Sequence, residues 1–190
     1  MLCGVFGILG GTFDPPHIGH LALANAAIEQ LDIDEVRLVP AGVPWQKADR
    51  PVTEARHRLA MTRLAAAEDR RFVVSDVEIE RSGPSYTIDT VKAMGEGGIL
   101  ILGSDAAFGI STWERAEDLL DLVELAVVER PGVSHGQVED RLGRSVHRLT
   151  MPSIELSGTE IREHVEAGWS PRFQVPGPVC DYILTNGLYT

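Results

Sequence analysis

Two histidines in a loop rich in glycine and proline are the residues with the most evident chemical potential. The loop GGTFDPPHIGH spans residues 10–20, follows a short apolar run and places His17 and His20 three residues apart. Gly10 and Gly11 carry no side chains that would hold an anion away from backbone N–H groups. The prolines lead into a helix start, where exposed N–H groups and the positive dipole end attract phosphate. The stretch therefore predicts a phosphate-binding loop with two imidazoles at its rim.

The same loop is compatible with two roles that involve no phosphate. A histidine pair suits a zinc site, although no third ligand stands nearby at a usual spacing. Two prolines and three glycines also occur in turns that have only a structural role. The common phosphate motifs GxxxxGK[ST] and GxGxxG are both absent, so any phosphate site here is of another kind.

Composition and charge restrict the class of protein. A chain of 190 residues suits one domain, residues 1–190. A formal net charge of −11 argues against a nucleic-acid partner, because such partners select a basic surface. The sequence contains no apolar stretch of roughly 18 residues, and its opening MLCGVFGIL lacks the basic residue of a signal peptide. Cys3 and Cys180 are most simply interpreted as buried, reduced thiols, and a disulfide bridge between them is the alternative. We therefore expect a cytoplasmic protein without a membrane partner. The sequence is compatible with either a monomer or a homo-oligomer.

Short apolar runs alternate with helical patterns along the chain. Six runs rich in Val, Ile and Leu suit strands that are buried on both faces: 5–9, 36–39, 72–75, 99–102, 125–128 and 146–150. Helices are predicted at 17–31, at 54–67 after an N-cap at Thr53, and up to residue 122 after an N-cap at Thr112. The alternation predicts an α/β fold with a mainly parallel sheet, whose ligands bind beyond the carboxyl ends of the strands.

Two further loops carry polar residues toward that sheet edge. Lys47 lies in the loop after the second strand, and a solvated surface lysine is the alternative interpretation. The stretch RSGPSYTIDT, residues 81–90, contains a Gly-Pro-Ser turn in which Ser85 or Thr87 is expected to cap the next helix. A cap alone would not explain why Tyr86 accompanies it.

The last two loops offer a carboxylate, an indole and a guanidinium. Gly103 permits close backbone approach, and Asp105 is suited to accept ribose hydroxyls. Trp113 offers a flat face for stacking on an aromatic ring, with core packing as the alternative. The stretch LSGTEIR, residues 156–162, begins a helix whose N–H groups and hydroxyls suit phosphate, and Arg162 adds a fork of donors. If residues 156–162 form only a capped helix, Arg162 has no role in binding phosphate.

These stretches resemble the signature of the HxGH nucleotidyltransferase superfamily, and the likeness covers nearly the whole chain. GGTFDPPHIGH is similar to GxFDPxHxGH, and LSGTEIR is similar to ISSTxIR with Gly158 in place of the second serine. RSGPSYTIDT looks like the RxGPSYTxDT segment of bacterial nicotinate mononucleotide adenylyltransferases. Residues 175–189 resemble the closing VPxxVxxYIxxxxLY helix, which is expected to pack the tail on the core. Trp45 and Gln46 depart from the Pro-His that many members have beside the lysine.

The resemblance implies a Rossmann-like doubly wound parallel sheet in one nucleotidyltransferase domain with a small helical C-terminal tail. It implies transfer of AMP from ATP to nicotinate mononucleotide, with Mg²⁺ bridging the ATP phosphates largely through water and no metal site on the protein itself. The implied catalytic residues are His17, His20, Lys47 and Arg162. The implied ATP-binding residues are Gly10, Gly11, Thr12, Phe13, His17, His20, Gly103, Asp105, Ser157, Thr159, Ile161 and Arg162. The implied nicotinate mononucleotide-binding residues are Lys47, Ser85, Tyr86, Thr87 and Trp113.

Three alternatives to this function concern the same residues. Nicotinamide mononucleotide and phosphopantetheine are alternative AMP acceptors, and a non-catalytic adenine-nucleotide sensor is the alternative outside the enzymes. RSGPSYTIDT and Trp113 argue against phosphopantetheine, whereas only a carboxylate-binding pocket separates nicotinate from nicotinamide. Intact His17, His20 and Arg162 argue against the sensor. The remaining histidines, 57, 135, 147 and 164, have no interpretable spacing and are expected at the surface.

Overall fold

A six-stranded, all-parallel sheet forms the centre of the computed structural model, which describes residues 5–43, 52–95 and 97–190. The strands are β1 (Phe6–Gly11), β2 (Glu35–Pro40), β3 (Phe72–Val74), β4 (Gly98–Gly103), β5 (Glu124–Val128) and β6 (His147–Leu149). Nine α-helices lie among the described residues: α1 (Ile18–Gln30), α2 (Ala55–Ala66), α3 (Val77–Glu80), α4 (Thr87–Met94), α5 (Ser104–Phe108), α6 (Ala116–Leu122), α7 (His135–Leu142), α8 (Gly158–Glu166) and α9 (Gly177–Thr185). The prediction of an α/β doubly wound sheet with a helical tail is confirmed.

The order of the strands creates a switch point between β1 and β4. The sheet runs β3-β2-β1-β4-β5-β6, so the first half of the chain builds outward from β1 and the second half builds outward from β4. Connections on either side of this boundary pass to opposite faces, which leaves a crevice at the carboxyl ends of the two strands. Ligands of such sheets bind in this crevice, and GGTFDPPHIGH follows directly after β1.

Helices cover both faces of the sheet and bury its apolar strands. One face packs against α1 and α2, and the opposite face packs against α4, α5, α6 and α7. A separate apolar cluster joins α8 and α9 to α2 through Met61, Ile161, Val179 and Ile183, all of them fully buried. The predicted helical tail is therefore part of the same packed body as the first half of the chain. No helix among the described residues is both long and apolar enough to cross a membrane.

Two predicted helix caps are wrong. The N-cap of α2 is Glu54, and Thr53 instead donates its backbone N–H to Asp14 Oδ2 at 3.2 Å. Thr112 lies in a short 3₁₀ turn and donates its hydroxyl to the carbonyl of Gly109 at 2.8 Å. Thr53 thus makes a tertiary contact with the loop after β1, whereas Thr112 makes a local side-chain hydrogen bond within its own turn.

The prediction that the remaining histidines lie at the surface holds for two of them. His147 and His164 are exposed. His57 is partly buried and its Nδ1 lies 2.9 Å from the Tyr182 hydroxyl. The side chain of His135 is only 14% exposed, with one ring nitrogen 2.8 Å from the carbonyl of Val127. Helix α7 turns this histidine back onto β5, which its sequence spacing did not indicate.

Candidate active site

The loop after β1 fixes the orientation of His20. Helix α1 begins at Ile18 with His17 as its N-cap, and the backbone N–H of His17 donates to Nδ1 of His20 at 3.2 Å. An imidazole nitrogen that accepts a hydrogen bond carries no proton, so the neutral ring is protonated at Nε2. His20 is therefore oriented to present Nε2–H as a donor.

Two aromatic neighbours hold the His20 ring in place. The Phe13 ring meets it edge-on with centroids 4.9 Å apart, and the His17 ring lies against it at 3.7 Å. Phe13 is buried and also packs beneath Gly11, where an added Cβ would lie 3.2 Å from the Phe13 ring. The side chain of Phe13 thus belongs to the core, and any contact of this residue with a nucleotide would be through its backbone.

His17 is buried and electrically neutral near pH 7. Only 4% of its surface is exposed, and its Nδ1 has no hydrogen-bond partner among the described residues. Burial, reinforced by the positive charge of Arg130 and opposed by Glu160, lowers the pKa of His17 from 6.5 to about 4. A neutral imidazole can donate or accept a hydrogen bond but adds no positive charge to the site.

The lowered pKa predicts a loss of stability in acid that depends on His17. The unfolded chain binds a proton at His17 below pH 6.5, whereas the folded chain resists it down to about pH 4. Between these values the unfolded state holds more protons, so the free energy of unfolding falls as the pH falls, by about 3 kcal/mol in total. Urea unfolding of the wild type and His17→Asn at pH 7, 5.5 and 4.5 tests this. As the pH falls, the wild type should lose more of its free energy of unfolding than the variant does. A difference between the two proteins that stays constant with pH would contradict this role of His17.

A cavity of about 420 Å³ lies at the switch point and unites four of the predicted loops. Nine predicted site residues line it: Gly10, Gly11, Thr12, His20, Ser85, Tyr86, Thr87, Asp105 and Trp113. Trp113 is partly buried and also packs against the apolar cluster on that face of the sheet, so both interpretations of its sequence context apply. A glycine-rich loop, an imidazole, a helix start and an indole thus share one crevice.

Ser85 shapes this cavity, but not as a helix cap. Helix α4 has Tyr86 as its N-cap without a side-chain hydrogen bond, so the expected cap at Ser85 or Thr87 is wrong. The Ser85 hydroxyl instead accepts the backbone N–H groups of Gly42 at 2.9 Å and Val43 at 3.2 Å. It therefore joins the start of α4 to the loop after β2. The first N–H groups of a helix have no partner within it, so the start of α4 is suited to receive an anionic group.

Sequence reasoning missed Arg130, which follows β5 at the same edge. A second cavity of about 280 Å³ is lined by Arg130, Ile154 and Ser157, among others. Arg130 also packs over Gly103, where an added Cβ would lie 3.2 Å from its Cγ and 2.7 Å from Oδ1 of Asp105. The signal that could have found it is the Arg-Pro-Gly turn at the carboxyl end of a strand, since the same criterion had selected the predicted loops.

The start of α8 contacts the loop after β1 through Arg162. Ser157 caps α8 through a reciprocal capping box with Glu160. Arg162 donates from Nη1 to the carbonyl of Asp14 at 2.7 Å and from Nη2 to the Thr159 hydroxyl at 3.2 Å. Arg162 lines neither the switch-point cavity nor the cavity beside Arg130, but a cleft that it shares with Thr159. Ile161, expected at the ATP site, has its side chain fully buried in the core.

Gly158 is required by the closeness of α8 to this loop. A Cβ at this position would lie 2.8 Å from the Asp14 carbonyl oxygen and 3.4 Å from Nη1 of Arg162. Backbone atoms cannot yield as a flexible side chain can, so the serine that the family motif has here would displace the loop. The glycine in LSGTEIR is therefore a packing requirement of this chain.

Gly158→Ala is accordingly expected to destabilise the protein by about 1–3 kcal/mol, the usual cost of overpacking. The same change should lower kcat, because it moves the loop that carries His17 and His20. Gly136→Ala is a matched control near the start of α7, where the nearest atom to an added Cβ is the Ser134 hydroxyl at 3.9 Å. Urea unfolding and steady-state kinetics on both variants test this, and equal behaviour of the two would show that the close approach is not required.

Arg58 lies beneath the site and was not singled out from the sequence. It is 1% exposed, and its guanidinium donates to the carbonyls of Thr12 at 2.9 Å, Ala41 at 2.6 Å, Gly42 at 3.0 Å and Thr53 at 2.8 Å. One side chain of α2 thus ties the loop after β1 to the loop after β2. Burial lowers the pKa of Arg58, while Asp14 opposes that shift.

Lys47 lies outside the described residues, as do Trp45 and Gln46. Across residues 5–43, 52–95 and 97–190, no group of three or more His, Cys, Asp and Glu side chains is arranged to hold a metal ion.

The switch-point cavity and its HxGH loop define a nucleotidyltransferase, and the sequence profile of the cytidylyltransferase-like family matches residues 8–164. The chain is 40% identical to a probable nicotinate-nucleotide adenylyltransferase of Thermoanaerobacter sp. (strain X514), over 96% of this chain and 93% of that protein. A relative of the same name from Acidothermus cellulolyticus is also 40% identical, with the same shares covered. The chain therefore belongs to the nicotinate-nucleotide adenylyltransferase family.

A solved structure shares the fold. Plasmodium falciparum nicotinic acid mononucleotide adenylyltransferase complexed with NaAD superimposes with a TM-score of 0.82 at 20% identity, covering 98% of this chain and 97% of that one.

Proposed function

We infer that this chain is an enzyme that transfers AMP from ATP to the phosphate of nicotinate mononucleotide, forming nicotinate adenine dinucleotide and pyrophosphate. The observation that carries this inference is the switch-point cavity, in which the phosphate-binding loop after β1 faces the Tyr86–Thr87 helix start and Trp113. The loop supplies donors for phosphate, and the opposite wall supplies an aromatic face and N–H groups for a pyridine carboxylate. The family relationship supports the same pair of substrates.

The pyridine end of the acceptor is assigned to the wall formed by α4 and Trp113. Trp113 stacks on the ring, while the N–H groups at the start of α4, around Tyr86 and Thr87, receive the carboxylate. Ser85 holds this helix start against the loop after β2 through its two backbone hydrogen bonds. A carboxylate gains a charge-assisted hydrogen bond and the favourable dipole of the helix, whereas a neutral amide gains less. This wall therefore selects nicotinate over nicotinamide.

The α-phosphate is assigned to the opposite wall, and the rest of ATP is assigned to the neighbouring clefts lined by Arg130, Ser157, Thr159 and Arg162. His20 donates from Nε2 to the α-phosphate, with Thr12 and the N–H groups of Gly10 and Gly11 beside it. His17, Lys47 and Arg162 serve the β- and γ-phosphates, and Arg130 adds positive charge from the neighbouring cavity. Ser157, Thr159, Gly103 and Asp105 complete the ATP site, the last as acceptor for ribose hydroxyls, and Phe13 and Ile161 contribute backbone.

The reaction needs no covalent intermediate and no strong base. The attacking phosphate of the acceptor is already anionic, so catalysis depends on aligning it with the α-phosphate and on stabilising the charge that develops there. Mg²⁺ would be held by the phosphates of ATP and not by a cluster of protein carboxylates, and it would offset part of the phosphate charge. We further propose that residues 1–190 act as one domain and that the enzyme works in the cytoplasm, where ATP is supplied.

Pyrophosphate release tests this function directly. MgATP is supplied with nicotinate mononucleotide, nicotinamide mononucleotide or phosphopantetheine in parallel, and the initial rates are compared. We expect a preference for the nicotinate nucleotide, since only it presents a carboxylate to α4. A preference for another acceptor would retain adenylyl transfer and overturn the assignment of Tyr86, Thr87 and Trp113. ATP binding without release from any acceptor would indicate a sensor.

A further inference from the structure

Asp14 lies at the centre of the phosphate-binding loop but does not line the cavity. It is 6% exposed, and both of its carboxylate oxygens are engaged. Oδ1 accepts the hydroxyl of Tyr189 at 2.8 Å, and Oδ2 accepts the backbone N–H of Thr53 at 3.2 Å. Its carbonyl oxygen accepts Nη1 of Arg162 at 2.7 Å. Three distant parts of the chain thus converge on one residue of the loop.

Tyr189 is the most distant of these partners, the penultimate residue and 175 positions from Asp14. Its backbone has a φ of 65°, in the left-handed region that non-glycine residues rarely adopt. Burial and the nearby Asp14 raise the pKa of Tyr189 well above its usual value, so the hydroxyl stays protonated and remains a donor. The preceding Leu188 packs against the cluster that joins α9 to α2, which anchors the segment.

We propose that Tyr189 is a positioning residue for the phosphate-binding loop, acting through the carboxylate of Asp14. The proposal rests on the function inferred above. Asp14 stands three residues before His17, whose backbone N–H orients the ring of His20. A shift of Asp14 therefore moves the group assigned to the α-phosphate. Tyr189 does not line the switch-point cavity but the cleft of Thr159 and Arg162, and its hydroxyl there is bonded to Asp14. Misplacement of a catalytic group by about 1 Å can reduce a rate by about 100-fold.

The same C-terminal segment contains a matched control. The Tyr182 hydroxyl lies 2.9 Å from Nδ1 of His57, which belongs to α2 rather than to the loop after β1. Tyr182→Phe and Tyr189→Phe each delete one hydroxyl that bonds a side chain in the first half of the chain. Both variants should have a lower Tm, and Tyr189→Phe should lose more because an oxygen of the buried Asp14 carboxylate is left without its donor. Only Tyr189→Phe removes a hydrogen bond to the loop.

Steady-state kinetics with MgATP and nicotinate mononucleotide, together with thermal unfolding, test the proposal on the full chain. Tyr189→Phe is expected to lower kcat about fivefold or more, with both KM values within about twofold of wild type, since hydroxyl loss misaligns the loop without removing a substrate contact. Tyr182→Phe should keep kcat within about twofold, with a smaller loss of Tm. A third variant that ends at Leu188 should lower kcat at least as much as Tyr189→Phe does.

The outcomes separate this proposal from the proposed function. Wild-type kcat in Tyr189→Phe would overturn the positioning role, and so would equal losses of kcat in both phenylalanine variants, which would indicate general destabilisation. An inactive wild type would overturn the proposed function itself, before any variant is compared.

Discussion

Replacing His20 with alanine is expected to lower kcat by about 100- to 1000-fold while ATP binding weakens by only a few fold. His20 is held by the backbone N–H of His17 and by the rings of Phe13 and His17, so its Nε2–H is already aimed before substrate arrives. Loss of one preoriented donor to a developing oxyanion typically costs this much in kcat. Because the donor acts mainly on charge that develops in the transition state, the ground-state affinity for ATP should change little.

The comparison of kcat with affinity is the informative measurement for His20. Steady-state kinetics give kcat, and calorimetric titration with ATP gives the dissociation constant of the variant. His147→Ala is a suitable control, because His147 is exposed at the start of β6, at the opposite end of the strands from the site. Equal and mild losses in kcat and affinity for His20→Ala would exclude His20 from the chemistry.

The sequence was sufficient to predict the sheet and the loops that meet at its edge. Each of the six apolar runs became a strand, because runs without polar alternation suit strands covered on both faces. Since all strands are parallel, the loops after β1 and β4 had to meet at the same edge. Gly10, His20 and Asp105 therefore shared one crevice as predicted, without any information on side-chain contacts.

The interactions that support the site could not be predicted in the same way. Arg58 bonds four backbone carbonyls, and a carbonyl has no residue-type signature in the sequence. Tyr189 reaches Asp14 because α9 packs on α2, a consequence of tertiary structure. Gly158 looked like a substitution in a phosphate motif and is instead a contact surface for the Asp14 carbonyl. Sequence motifs thus revealed groups that line the candidate site and missed those that hold these groups in place.

Arg58→Lys is expected to have the largest effect on stability. A lysine ammonium retains the charge, but its single nitrogen cannot reproduce the planar fork that reaches Thr12, Ala41, Gly42 and Thr53. Each buried carbonyl left without a donor costs about 1–3 kcal/mol, so a loss of about 3 kcal/mol or more in the free energy of unfolding is expected. The kcat of the folded variant should also fall, by about tenfold, because the loop after β1 loses its tie to the loop after β2.

The same helix provides the control for this substitution. Arg63 of α2 is exposed and donates to Asp76 at 2.8 Å, and an exposed pair of this kind contributes at most about 1 kcal/mol. Urea unfolding of Arg58→Lys and Arg63→Lys gives the two stabilities, and kinetics at a temperature where both are folded give kcat. Wild-type stability in Arg58→Lys would show that the four carbonyls do not depend on the guanidinium. A large loss of stability with unchanged kcat would make Arg58 a residue of the fold alone, because a folded site without its fork would then still align the reacting phosphates.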